Sequence, residues 1–191
     1  MPSQFRAEAN IIVVSRLPVG GKCWFKAEKL IFHKNRFMRV VVQRVSEARV
    51  EVDGEITGRI GEGMLVYLSI GKADGPDDAK FMAEKLAGLR IFEDDNGRMN
   101  LSLPDVACAT GSGQILLISN FTLHGDCRKG RRPGFDAAAE PQKAESLYEK
   151  TIELLEQTGL KVARGRFGCR MQVISTNNGP VTFLLDSTRL F

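Results

Sequence analysis

The densest run of chemically capable side chains is SNFTLHGDCRKGRRPGF, residues 119–135. It contains a hydroxyl at Ser119, an imidazole at His124 and a carboxylate at Asp126, the group types that serve a serine hydrolase as nucleophile, base and orienting acid. The spacing argues against that use. Ser119 and His124 stand five positions apart across the end of an apolar run, and no Gly-x-Ser-x-Gly elbow surrounds the serine. A lone histidine beside Gly125 is expected at the surface, without a catalytic role. Four basic residues follow, Arg128, Lys129, Arg131 and Arg132, around Gly130. Such a cluster either binds phosphate through charge and counterion release, with the glycine allowing close backbone approach, or is a solvated loop.

A second unusual stretch is NNGPVTFLLDS, residues 177–187, which sets Gly179 and Pro180 at the mouth of a strand-like apolar run. Proline cannot donate to a sheet ladder, so the pair is either punctuation or a rigid recognition peptide, with a cis bond among its options. Other candidates carry less. GSG at 111–113 lacks the lysine and hydroxyl of a phosphate-binding loop and reads as a turn. Glu93, Asp94 and Asp95 precede Asn96-Gly97 and read as a solvated hairpin. Cys23, Cys108, Cys127 and Cys169 are widely spaced with no Cys-x-x-Cys pair, and only two histidines are present, so no metal site and no cofactor is expected. Unpaired thiols suit a reducing, cytoplasmic location.

These groups must be positioned by a chain of 191 residues, 43% hydrophobic and 26% charged, which suits one compact domain with a sizeable core. Its apolar runs are of strand length, and none approaches the roughly 20 residues of a spanning helix, so no membrane partner is expected. A net charge of +4 weakly favours a polyanionic partner. Residues 1–37 lack sustained periodicity and are expected to be a loosely structured extension, a possible start misassignment, with the domain itself spanning 38–191. From Met38 the pattern alternates and is rich in valine and isoleucine, with Asp53-Gly54 as a hairpin turn. Residues 75–92 predict an amphipathic helix with Pro76 in its first turn and Phe81, Leu86 and Leu89 on its apolar side. GQILLISNFTL predicts a strand, PQKAESLYEKTIELLEQTG a second helix closed by Gly159, and residues 161–187 further strands. This order predicts a mixed α/β (α+β) fold: antiparallel-rich packed sheets in a layered β/β/α arrangement, with two main helices on one outer face, rather than a doubly wound parallel sheet.

MRVVVQRVSEARV at 38–50, SNFTL at 119–123, RKGRRPGFDAA at 128–138, and FGCRMQV through NNGPVT at 167–182 together resemble the D-aminoacyl-tRNA deacylase family, collinearly from Met38 to Phe191. The resemblance implies hydrolysis of the ester joining a D-amino acid, or glycine mischarged on alanine tRNA, to the terminal adenosine of tRNA. It implies charged tRNA as partner, and a homodimer with an active site shared across subunits. Gly179 and Pro180 match a Gly-cisPro pair that reaches into the partner's site and excludes L side chains. Arg44 matches the arginine that orients that pair's carbonyls. Asn120, Phe121 and Thr122 match the backbone N–H groups of an oxyanion site, with Thr122 as an alternative nucleophile and the RNA's own 2′-hydroxyl close to the ester. Arg128, Lys129, Arg131 and Arg132 then become tRNA contacts. The chain departs from the family pattern at Asn120, more often glutamine; at Cys169, more often alanine; and at Asn178, more often aspartate. Two other readings accompany this one: a non-catalytic tRNA-binding module of the same fold, and a serine-type small-molecule esterase using Ser119 and His124.

Overall fold

The computed structural model describes residues 12–16, 25–29, 37–128 and 130–189. The chain divides into two units, Met1–Lys34 and Asn35–Phe191. In the first, β1 (Ile12–Arg16) and β2 (Phe25–Lys29) pair antiparallel, with Ile12 opposite Lys29. These strands lie within the segment expected to be irregular. At five residues each, they are too short for alternation to stand out. The rest of residues 1–36, Cys23 included, lies outside the described residues.

The second unit begins with β3 (Arg39–Val52), which turns into β4 (Glu55–Ile60). Asp53 and Gly54 have φ of 51° and 83°, the double left-handed conformation of a two-residue hairpin whose twist matches its strands. β5 (Gly63–Ser69), α1 (Pro76–Ala87), the small hairpin β6 (Phe92–Glu93) and β7 (Met99–Leu101), and α2 (Leu103–Thr110) follow. The chain continues through β8 (Gln114–Ser119), a 3₁₀ turn (Phe121–His124), α3 (Pro141–Glu156), β9 (Lys161–Arg164) and β10 (Gln172–Asp186). One six-stranded sheet results, ordered β10-β3-β5-β8-β9, with β4 also on β3. β10, β4 and β5 are antiparallel to β3, while β5-β8 and β8-β9 are parallel pairs joined through the helices. The fold is thus mixed α/β and layered as expected, with two parallel pairs inside it.

Pro76 and Pro141 each open a helix in its first turn, where a missing N–H costs nothing. The buried side of α1 is Ala79, Met82, Ala83 and Leu86. Phe81 lies at its flank beneath the Arg189 guanidinium, 5.1 Å away, and Leu89 comes after the helix has ended. α2 was not anticipated from the pattern. Its signal is short-range: Ser102 precedes it, and the Asp105 carboxylate accepts hydrogen bonds from the Ser102 N–H (2.8 Å) and hydroxyl (2.6 Å).

Two apolar cores lie on the two faces of the sheet. Val40, Val42, Met64, Leu117 and Val66 pack against Met82 and Leu86 of α1, Val106 of α2, and Tyr148 and Ile152 of α3. On the other face Val45, Ala48 and Val50 of β3 and Ile60 of β4 meet Leu65, Leu116 and Ile118. β3 serves both because Ser46 is an extra residue: Val45 opposes Asn177 and Glu47 opposes Thr176, so one residue of β3 has no counterpart and the even-numbered side chains, which face the first core at Val40 and Val42, face the second at Ala48 and Val50. The far half of β3, with β4, thereby folds back over β8 and β9.

Gly58 marks that closure. A Cβ there would stand 2.6 Å from the Arg164 carbonyl oxygen and 3.0 Å from Leu116 Cδ1. Gly58→Ala is expected to lower stability by about 1–3 kcal/mol through backbone displacement. Urea unfolding measures this, and an unchanged midpoint would refute the close approach.

Candidate active site

β8 ends against a cavity of about 570 Å³ whose walls include Tyr67, Ile118, Asn120, Phe121, Phe167 and Cys169. The lining is mainly apolar, and burial raises the Tyr67 phenol above its ordinary pKa. Tyr148 donates a hydrogen bond to the Leu117 carbonyl (2.8 Å) and packs against Phe167, which holds that wall in place. Phe121 is 59% exposed at the rim and meets Phe135 edge-on at 5.1 Å between centroids.

The turn at the cavity differs from three equivalent N–H donors. The Asn120 N–H is spent on the Leu68 carbonyl at 2.8 Å, and the Thr122 N–H on the side-chain oxygen of Asn120 at 3.2 Å. Among the described residues, Phe121 alone of the three keeps an uncommitted N–H. The Thr122 hydroxyl also donates to the Asn120 side chain. Asn120 therefore caps the turn, so its shorter side chain acts on the geometry of the donors.

His124 is buried, not on the surface. Its Nε2 faces the Phe37 carbonyl at 2.9 Å and must carry the proton; Nδ1 then accepts from the Ser69 hydroxyl. Phe37 stacks on the imidazole, and Arg39 lies 4.4 Å from the Phe37 centroid while donating to the Leu123 carbonyl at 2.7 Å. Burial pushes the His124 pKa below its ordinary value. With both ring nitrogens engaged elsewhere, Ser119 and His124 do not form a nucleophile and base, and the Asp126 carboxylate binds Arg128. The Ser69–His124 contact fastens the turn to β5.

Gly179 and Pro180 sit elsewhere. Thr182 pairs with Gln43 and Asn177 with Val45, so residues 178–181 form an excursion opposite Arg44 alone. The Gly179-Pro180 bond is cis, and both residues are exposed. Arg44 is buried and donates from Nε to the Asn178 carbonyl (3.0 Å), from Nη1 to the Ile91 carbonyl (2.9 Å) and from Nη2 to Glu93 (3.0 Å). It thus holds the carbonyl just before Gly179, not those of the pair itself. Asn177 braces the other side, its Nδ2 donating to the Arg44 (2.9 Å) and Val181 (3.1 Å) carbonyls. Arg44 lies opposite Met64, five residues along β5 from Ser69 at the cavity, or roughly 17 Å at about 3.3 Å per residue. Within one chain the pair lines neither this cavity nor the smaller cleft beside Arg44.

The profile of the D-Tyr-tRNA(Tyr) deacylase family matches residues 41–186. The D-aminoacyl-tRNA deacylase of Thermotoga petrophila is 51% identical over 154 residues, 81% of this chain and 100% of the relative. That of Syntrophotalea carbinolica is 54% identical over the same spans. This chain belongs to the D-aminoacyl-tRNA deacylase family. Among solved structures, a c-Myc DNA unwinding element binding protein superposes with a TM-score of 0.71 at 38% identity, over 78% of this chain and 97% of the other. A probable eukaryotic D-amino acid tRNA deacylase, 18% identical, shares the fold with a TM-score of 0.68 over 78% of this chain and 99% of that one.

In this deacylase family member the basic cluster lies on an arch closed by hydrogen bonds between Asp126 and Gly134. Arg128, Arg131 and Arg132 are all exposed, and Arg128 is in addition bound to Asp126; Lys129 lies outside the described residues. Residues 1–37 hold seven Lys and Arg against two Asp and Glu, leaving residues 38–191 near balance at 20 against 21, so the arch is a local feature rather than part of a basic surface. Among the described residues no cluster of metal-ligating side chains occurs, Cys108, Cys127 and Cys169 are free thiols, and no helix is long and apolar enough to cross a membrane. Sequence reasoning missed Asn177, Glu93 and the Phe37–His124–Ser69 contact. Apart from Val181, four residues from Asn177, their partners are distant in the chain.

The depressed His124 pKa has a defined sign. The unfolded histidine, near pKa 6.5, takes up a proton before the folded one does, so stability present above that value is lost as pH falls beneath it. Between about pH 7.5 and about pH 5.5 the parent should lose more stability than His124→Gln, which has no titrating ring. Equal losses in urea unfolding would overturn this assignment.

Proposed function

We propose that this protein hydrolyses the ester of D-aminoacyl-tRNA, and of glycyl-tRNA mischarged on alanine tRNA, while sparing L-aminoacyl-tRNA. It works as a homodimer in the cytoplasm. The observation that carries the reading is the division of the site: an apolar cavity with one free backbone donor at one end of β5, and an exposed, braced Gly-Pro peptide at the other. A second copy supplies the missing half, with Gly179 and Pro180 reaching the partner's cavity. β10 supports this, being an edge strand of 15 residues that exposes Ile174 and Leu184.

In the reaction, water adds to the ester carbonyl, and the developing oxyanion receives the Phe121 N–H. The bond to the ribose oxygen then breaks, releasing the amino acid and restoring the terminal hydroxyl. The adjacent ribose hydroxyl orients the attack, so Thr122 is not required as a nucleophile. Gly179 and Pro180 select by filling the space of an L side chain. A hydrophobic pocket would separate glycine from alanine by only about 1–3 kcal/mol, whereas a rigid polar wall discriminates by collision and desolvation. A side chain at Gly179 would itself collide with the Val181 backbone, which keeps the wall bare.

Deacylation of glycyl-, D-alanyl- and L-alanyl-tRNA tests the reading: the first two should be cleared and the third spared. Glycyl-tRNA left intact while D-alanyl-tRNA is cleared would defeat the steric account. Binding of all three without release of amino acid would identify a non-catalytic module instead.

Arg131 and Arg132 contact tRNA phosphates in this reading, and the Asp126-bound Arg128 contributes less. Replacing both with glutamine should weaken binding of every tRNA and flatten the salt dependence by roughly one unit of slope per lost contact. Unchanged affinity and slope would make the arch a solvated loop.

A further inference from the structure

We infer that Glu93 is a positioning residue for stereochemical selection, acting through Arg44 on the Gly179–Pro180 excursion. This rests on the reading above that the excursion is the selecting wall. Arg44 continues the helix-facing row of Val40 and Val42, so its side chain leaves the sheet into the apolar layer beneath β6, β7 and α2. A guanidinium there needs acceptors for its donors and a counter-charge. It finds two carbonyls, those of Asn178 and Ile91, and one carboxylate, Glu93, which is its only ion-pair partner among the described residues. The pair is asymmetric: the side chain of Arg44 is 8% exposed and that of Glu93 55%. An exposed pair is worth little, but a buried cation that loses its carboxylate is driven to move.

The surroundings decide where it can go. A cleft of about 230 Å³ opens beside Arg44, walled by Leu101, Val106, Thr110, Glu62 and Asn178. It gives the guanidinium room to leave the Asn178 carbonyl, with the Glu62 carboxylate on the same wall. Glu93 prevents this because its own hairpin is braced. The Asp94 side chain accepts from the N–H groups of Asn96 (2.9 Å) and Arg98 (3.1 Å) and from the Asn100 amide (3.3 Å). The Arg98 bond leads in holding the Asp94 carboxyl below its ordinary pKa. The hairpin is therefore a fixed platform, and Glu93 transmits its position to the carbonyl preceding Gly179.

The test compares the parent, Glu93→Ala, Glu93→Gln and Arg44→Ala in deacylation of D-alanyl- and L-alanyl-tRNA. Glu93→Ala should raise L-alanyl hydrolysis roughly threefold to tenfold, the scale of one positional coupling, while D-alanyl hydrolysis stays within about twofold. Glu93→Gln, which keeps an acceptor oxygen, should restore part of the discrimination. A general loss of structure would instead lower both rates together. If Arg44→Ala admits L-alanyl-tRNA and Glu93→Ala does not, the inference fails while the selecting wall stands. If neither variant admits L-alanyl-tRNA, the wall itself is misplaced and the inference falls with it.

Discussion

A guanidinium set into the buried face of a strand cannot be left without acceptors, and much of this molecule's irregularity is arranged around the one at Arg44. Its three donations go to three different segments: the excursion in β10, the residue before the β6–β7 hairpin, and the hairpin itself. The ladder between β3 and β10 is broken twice here, once at Arg44 itself and once two residues on. Ser46 is extra on β3, and on β10 the four residues 178–181 stand opposite Arg44 alone. The break at Ser46 turns the even-numbered side chains of β3 from one core to the other and lets the sheet fold over itself; the break at Arg44 lifts Gly179 and Pro180 out of the sheet. One buried charge thus sits where fold closure and the candidate selecting surface meet.

The opposite end of the sheet is organised by backbone donors. Asn120 N–H ties the turn to β5, and the Asn120 side chain takes up both polar hydrogens of Thr122, so that among the described residues the Phe121 N–H is the one of the three left uncommitted. His124 pins the end of that turn to Ser69 and to the Phe37 carbonyl. Between the two ends β5 is buried nearly throughout and is flanked by β3 and β8, which makes it a stiff spacer.

The readable parts of the fold were those whose cause is local. Asp53-Gly54 at the hairpin, Pro76 and Pro141 at helix starts, and Gly159 past a helix end act through their own φ and their immediate neighbours. The α2 helix escaped notice because its eight residues bury only Leu103 and Val106, too few for periodicity. His124 was misjudged for a related reason: its burial depends on Phe37 and Ser69, 87 and 55 residues away. The choice among three N–H donors likewise depended on which carbonyls and side chains folded against them.

By itself the amino-acid sequence determined that the body is layered α/β, that Gly179 and Pro180 precede an apolar run near its end, and that an apolar strand leads into SNFTL; the structure sets the pair inside β10 and ends β8 at Ser119, with a 3₁₀ turn after it. Motif order carried the family resemblance, because types and spacings persist in the written chain. Tertiary structure alone decided that β5, β8 and β9 run parallel, that the Gly-Pro pair lies at the far end of β5 from the cavity, and that Phe121 keeps the free N–H. Pairing direction and hydrogen-bond ownership are properties of contacts between distant residues. Arg44 and Asn178 are 134 positions apart, and nothing in the neighbourhood of either encodes the other.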